Sequence, residues 1–298
     1  MKEKHSLPGK QVMKSTSNID GILVVDKPEN LTSRDVVNRV SRVLGTKHIG
    51  HTGTLDPMAT GVLVLTIGKC TKLNEYLTSI YKTYEVEAKL GILTDTLDIT
   101  GKVLDTKECS CSVEEIKSTI ESFVCKYMQE VPAYSALKVG GKRLYQYARE
   151  GISIELPKRE VEITSIDNLQ IDDNIVKFTC TVSKGTYIRS LVRDIGEKLG
   201  TYGTMVSLRR IVQGGYSIED AFTLEEIESG DYRVMSPIEV LKGLTNIELD
   251  AETFKLVFNG VQQKVDVEAD YIVYTYGGNI VALYKKDEDK KFKMYVKF

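Results

Sequence analysis

The stretch Gly50-His-Thr-Gly-Thr-Leu-Asp-Pro-Met-Ala-Thr-Gly61 gathers more chemically able side chains than any other part of the sequence. His51 stands five residues before Asp56, and an apolar run, VLVLTI (62–67), follows at once. An isolated Asp-Pro is most simply a turn in which the carboxylate caps its own backbone. Here the carboxylate lies in a glycine-flanked loop next to a buried strand. Such a loop lets substrate approach the backbone closely while the strand holds the acid in place, which suits nucleophilic or acid–base work. Three other constellations carry less. Six residues lie between Gly61 and Gly68-Lys69 where a phosphate-binding loop has four, and Cys70 replaces the Mg²⁺-binding hydroxyl. Asp95 and Asp98 have the spacing of a local turn cap, without the acidic cluster that a metal site needs. Only His5, His48 and His51 are available for a Ser/His/Asp triad, and no Gly-x-Ser-x-Gly elbow is present.

The elements that must position Asp56 are partly legible. GILVVD (21–26) reads as a strand, followed by a turn at Lys27-Pro28-Glu29-Asn30. A helix is expected from Ser33 as N-cap, with Val36, Val37, Val40, Val43 and Leu44 on one face and Gly45 as its stop. Residues 45–61, with five Gly or Pro positions, are expected to form a loop. Tyr84, Val86, Ala88 and Leu90 alternate with polar residues, the period of a half-buried strand. Ser112-Val-Glu-Glu115 is a capping box leading into Ile116, Ile120 and Phe123. Strands are expected near 160–166 and 175–183, and a helix from about 187 to 199. Beyond a boundary near 245 the chain predicts a short helix (251–258) and a β-meander, its first turn marked by Gly277-Gly278. Without a regular βαβ rhythm the fold class is α+β. Residues 1–20 read as a flexible tail, 21–245 as the main domain and 246–298 as a small β-rich unit.

Composition narrows the classes. The 298 residues carry 40 Lys+Arg against 42 Asp+Glu, which excludes binding of polyanions by bulk charge but not by a local basic surface. The opposed segments are clear: residues 181–215 hold six basic and two acidic side chains, and 216–250 hold two basic and nine acidic. No apolar run reaches the roughly 20 residues of a membrane span. Nor does the start of the chain show the apolar stretch of a signal peptide, so a cytoplasmic protein is expected. Five cysteines, an odd number without a Cys-x-x-Cys pair, argue against a disulfide framework or a structural zinc site.

The loop resembles the catalytic motif of the TruB-type tRNA pseudouridine synthases, and the likeness continues along the chain. Lys27-Pro28 with Thr32-Ser33 is similar to that family's K-P-x-G-x-T-S opening, with Asn30 where the family has Gly. Asn tolerates left-handed backbone better than other non-Gly residues, so the turn is expected to survive. Lys82-Thr-Tyr84 and Leu90-Gly-Ile-Leu-Thr-Asp95-Thr resemble its tyrosine-bearing strand and the following turn. Val131-Pro-Ala-Tyr134-Ser-Ala-Leu-Lys138 and Gly141-Lys-Arg-Leu-Tyr145-Gln-Tyr147-Ala-Arg149 resemble its substrate-binding segment. Ser183-Lys-Gly-Thr-Tyr187-Ile-Arg189 and Leu208-Arg-Arg210 are similar to later blocks. Together these cover roughly residues 21–245, in the family's order. The C-terminal unit resembles a small RNA-binding PUA-type domain.

The resemblance implies isomerisation of uridine 55 in the T loop of tRNA, without a cofactor. It makes Asp56 the essential carboxylate, acting covalently or as an acid/base on the sugar, with Arg189 as its ion-pair partner. A neighbouring arginine favours the ionised form that such chemistry needs. Tyr84 is expected to stack on the flipped uracil, and His51 to fill the space that it leaves. Lys27, Tyr187 and Leu208 are expected to line the pocket, while Lys138, Lys142, Arg143 and Arg149 contact phosphates. An RNA-binding or tRNA-folding module lacking the reaction would share the binding segments, but the joint presence of Asp56, Tyr84 and Arg189 favours the enzyme. A synthase acting on another RNA also stays open. The compact chain predicts a monomer that needs neither membrane nor obligate protein partner.

Overall fold

A computed structural model describes residues 19–78, 81–289 and 291–298. Its centre is a nine-stranded mixed sheet. The main path runs Gly21–Lys27, Thr60–Ile67, Gly203–Gln213, Lys82–Leu90, Ile175–Val182, Lys158–Asp172 and Lys126–Glu130. On this path only Thr60–Ile67 and Gly203–Gln213 pair in parallel, and the other neighbours are antiparallel. The expected α+β class is what the chain forms.

The strand Gly21–Lys27 is buried at nearly every position, because both faces of the sheet are covered there. Leu23 and Val25 join the front core with Val36, Val40, Leu63, Leu65, Tyr84 and Leu191. Ile22 and Val24, with Val62 and Val64, pack behind the sheet against Leu241, Val273, Leu283 and Val296. Double burial explains why GILVVD and VLVLTI are unbroken apolar runs rather than alternating ones. The β-rich C-terminus is thus seated on the back of the main sheet. It forms a four-stranded sheet of Thr245–Glu248, Tyr271–Tyr276, Asn279–Lys286 and Phe292–Lys297, with the helix Ala251–Phe258. Gly277 and Gly278 make the expected hairpin turn, both at positive φ.

Three local expectations need correction. The first helix, Ser33–Leu44, is capped by Thr32 and not by Ser33: Thr32 accepts from the Asp35 backbone N–H, and the Asp35 carboxylate returns the bond. The interval 45–61 is not all loop, because Ile49–His51 pairs with Thr60–Ile67 and that strand begins at Thr60. The expected tail does not extend over Ile19 and Asp20. Asp20 accepts a bond from the Lys69 backbone N–H, Ile19 packs on the front core, and residues 1–18 lie outside the described residues.

Candidate active site

Arg189 and Asp56 meet fork to fork. The Arg189 Nε donates to Asp56 Oδ2 at 2.9 Å and Nη2 to Oδ1 at 3.0 Å. The guanidinium is buried, its side chain 5% exposed, whereas the Asp56 carboxylate is 34% exposed and so open to a substrate. An exposed helix charge, the ordinary fate of such an arginine, is not what forms here. The remaining donors are also directed: Nη1 to the Thr96 carbonyl at 2.9 Å and Nη2 to the Tyr134 carbonyl at 3.0 Å. A second carboxylate, that of Asp98, lies 3.8 Å from Nη1 and is itself buried. Its other oxygen accepts from the Thr96 hydroxyl and from the Thr100 hydroxyl and backbone N–H. Asp98 therefore caps its bend, as the spacing suggests, and also steadies Arg189, which the spacing does not reveal.

The helix Ile188–Lys198 brings Arg189 in at its first turn. Its N-cap, Tyr187, makes no side-chain capping bond. The neighbouring edge strand supplies the ties instead: the Tyr187 backbone N–H donates to Gln129 Oε1 at 2.8 Å, and the Ser190 hydroxyl to the Glu130 carbonyl at 2.7 Å. Gln129 is buried, and nothing in its sequence context singles it out. The Arg159 guanidinium lies over the Tyr187 ring, 5.5 Å from its centroid.

The loop around Asp56 is held through its main chain. The Ser33 hydroxyl accepts from the Leu55 N–H at 2.9 Å and lies 3.2 Å from the Leu55 carbonyl. Lys27 is completely buried. It donates to the carbonyls of Pro28, Leu31 and Pro57, at 2.8, 2.6 and 3.1 Å. Asn30, with φ of 65°, sends its own N–H to the same Pro57 carbonyl at 2.8 Å. Asn here adopts the left-handed conformation expected of the family's glycine. Burial lowers the Lys27 pKa to about 8, against the opposing pull of Asp56. The ammonium thus ties its own turn, at Pro28 and Leu31, to the loop at Pro57 next to Asp56, instead of presenting its charge at a surface.

The other expected residues are placed as follows. Tyr84 is buried in the front core, which also takes in Leu55, Met58 and Ala59 of the loop, Leu208 and Ile188. Leu208, paired with Val86 across the strands, lines a cleft of about 450 Å³ with Met58, Thr60 and Arg209. Lys27, Tyr187 and Asp56 do not border that cleft. His51 ends its short strand half-buried, its Nδ1 without a hydrogen-bond partner. Burial, then the charges of Arg34 and Arg210, lower its pKa. Residues 138–149 form a small hairpin, Lys138–Val139 with Lys142–Arg143, and the helix Leu144–Arg149. Lys142 pairs with Glu150 and lies over the Tyr147 ring, and Arg149 lies over the Tyr145 ring. This unit joins the site through Ser135, whose carbonyl accepts from the Tyr145 N–H next to the Tyr134 contact with Arg189.

The site is a loop carboxylate gripped by a buried arginine, on a mixed sheet backed by a small β unit. The family described as "TruB family pseudouridylate synthase (N terminal domain)" matches residues 41–188, and "tRNA pseudouridylate synthase B C-terminal domain" matches residues 189–240. The chain belongs to the TruB family. Its sequence is 41% identical to the "tRNA pseudouridine synthase B" of Clostridium kluyveri over 93% of this chain and 98% of that protein. The protein of the same name from Thermotoga maritima is 39% identical over 91% and 92%. Among solved structures, that of a Cbf5-Nop10-Gar1 complex shares the fold, with a TM-score of 0.68 at 23% identity over 93% of this chain and 84% of that one.

Proposed function

We propose that this chain converts uridine 55 in the T loop of tRNA to pseudouridine, with Asp56 as the essential carboxylate. The observation that carries the reading is the forked Asp56–Arg189 pair, with its guanidinium buried and its carboxylate partly open. The isomerisation breaks C1′–N1, turns the uracil and joins C1′ to C5. A proton leaves C5 and one is gained at N1, so the balance needs neither an electron carrier nor water. Arg189 fixes the orientation of the carboxylate through two parallel bonds, which attack or base action at the sugar requires.

The target base must leave its stack, at a cost of a few kcal/mol. Tyr84 and Leu208 receive the flipped uracil, while Tyr187 acts from the start of the Arg189 helix. His51, whose pKa burial lowers, enters the T loop in its place. Lys138, Lys142, Arg143 and Arg149 meet backbone phosphates, and the interleaved Tyr145 and Tyr147 offer stacking surfaces. Lys27 acts through the loop. Residues 21–245 form the catalytic unit and 246–298 the RNA-binding, PUA-like unit. The chain acts as a monomer in the cytoplasm without a protein partner; its tRNA substrate is the part of this reading that the names of its relatives support. Among the described residues no helix is long and apolar enough to cross a membrane.

The test is pseudouridine mapping on an unmodified tRNA transcript, without added metal or nucleotide, beside Asp56→Asn. Conversion of the T-loop uridine by wild type alone is expected. Binding of tRNA by wild type with no conversion would overturn the reading.

A further inference from the structure

The largest fully buried side chain of the described residues is a charged one, Arg210, with no exposed surface. Burying a guanidinium is costly, and a carboxylate partner normally offsets that cost. Here, among the described residues, its hydrogen bonds go to backbone carbonyls: Nε to Val62 at 2.7 Å and Nη2 to Gly53 at 3.1 Å. Those two carbonyls bracket the segment that carries Asp56. One rigid, planar fork thus ties the entry of the catalytic loop to its exit. The backbone of Arg210 supports the exit as well. A Cβ on Gly61 would lie 2.2 Å from the Arg210 carbonyl oxygen, so the loop leaves in direct contact with this residue.

Gln213, on the same strand and also buried, donates through Nε2 to the Thr52 carbonyl at 3.0 Å and to the Thr52 hydroxyl at 2.5 Å. In a regular strand residues three apart point to opposite faces. The pairing with Lys82–Leu90 slips between Arg210 and Val212: Arg210 faces Tyr84, Val212 faces Thr83 and Gln213 faces Lys82. The extra residue is a β-bulge at Ile211, and it brings Gln213 round to the side that Arg210 occupies. The bulge is thereby the device that lets one strand grip consecutive loop residues, Thr52 and Gly53, as well as Val62.

We propose that Arg210 is a positioning residue for the isomerisation, supported by Gln213. It fixes the span of the Gly53–Val62 loop and so the reach of Asp56 to the sugar, without touching the RNA. The proposal rests on the activity given above, and the experiment separates the two. Arg210→Lys keeps the charge but places its donors on one nitrogen, without the planar spread that sets Nε on Val62 and Nη2 on Gly53. Single-turnover conversion by this variant at saturating enzyme is expected to fall about 10²-fold. Half-saturation for tRNA should stay within about twofold of wild type, because a binding residue and a positioning residue divide differently between the two parameters. Gln213→Leu, which spares the buried charge, is expected to lose about tenfold in rate in the same way.

Hydrogen–deuterium exchange of the peptide covering Thr54–Gly61 is the second measurement. It should rise in both variants while the strands Gly21–Lys27 and Lys82–Leu90 keep their protection. A rate within twofold of wild type in a folded variant, a loss confined to tRNA affinity, or unchanged loop exchange would each overturn the proposal. If Arg210→Lys cannot be purified folded, Gln213→Leu decides by the same readings. Should wild type convert no uridine, the activity reading fails, while loop exchange still judges the clamp.

Discussion

At the scale of single residues, the Pro57 carbonyl is the point where sequence and site chemistry meet, since Lys27 and Asn30 both donate to it. Asn30 holds a φ of 65°, a conformation that costs ordinary L-residues roughly 1–2 kcal/mol and β-branched ones more. Asn30→Gly should therefore leave stability within about 1 kcal/mol of wild type. Asn30→Val should lower it by about 2 kcal/mol and reduce conversion as well, as measured by urea unfolding and by the mapping assay. Lys27 adds a pH signature. Its pKa falls from 10.5 to about 8 on folding, so between those values the unfolded chain holds more protons. The penalty for burying the ammonium is complete below about pH 8 and is relieved as pH rises toward 10.5, so this residue's contribution to stability grows across that window. Urea unfolding of wild type and Lys27→Met at pH 7.5 and 9.5 should show the difference moving in favour of wild type. A difference independent of pH would mean that the amine is not desolvated.

Two adjacent hydroxyls show what can be read of an element and what cannot. Both Thr32 and Ser33 are good N-cap types, and Ser33 is the natural reading from the apolar period alone. Asp35 is the residue that decides, because it completes a capping box with Thr32 and leaves Ser33 free to reach Leu55. Thr32→Ala should cost about 1 kcal/mol of stability and leave the reaction rate nearly unchanged. Ser33→Ala should do the reverse, slowing conversion more than it shifts the unfolding midpoint. If the two variants behaved alike, the division of labour would be wrong. Long periodic elements were legible for the same reason that this helix was: the strand of Tyr84 and the helix of Arg189 repeat their burial pattern over many residues. Ile49–His51 is too short to show a period. The contacts of Arg189 with Asp98 and with the Thr96 and Tyr134 carbonyls join segments far apart in the chain, and no local spacing encodes them. Asp56 and Arg189 were singled out through motif resemblance; Ser33 and Arg210 stand in matched motifs but, like Gln129, act on backbone groups, and residue type does not show which ones.

For the whole molecule, the main sheet and the C-terminal sheet share apolar contacts from Ile22 and Val24 to Val273, Leu283 and Val296. A composition change near 245 marks where the second sheet begins, but not that it lies on the back of the first. Shared burial of this kind couples the two in unfolding. Calorimetry should give one transition, and Leu283→Ala should lower it as a whole, by about 2–5 kcal/mol. Two separated endotherms would show that the sheets are independent. The strand Gly21–Lys27 then has a mechanical meaning. One side of it bears on the C-terminal sheet, the other on the front core, and its last residue holds the carbonyl next to Asp56. It works as a beam seven residues long. Wherever the C-terminal sheet is anchored, the distance from that anchorage to the Asp56 carboxylate is set by this strand, which is the part of the molecule that measures.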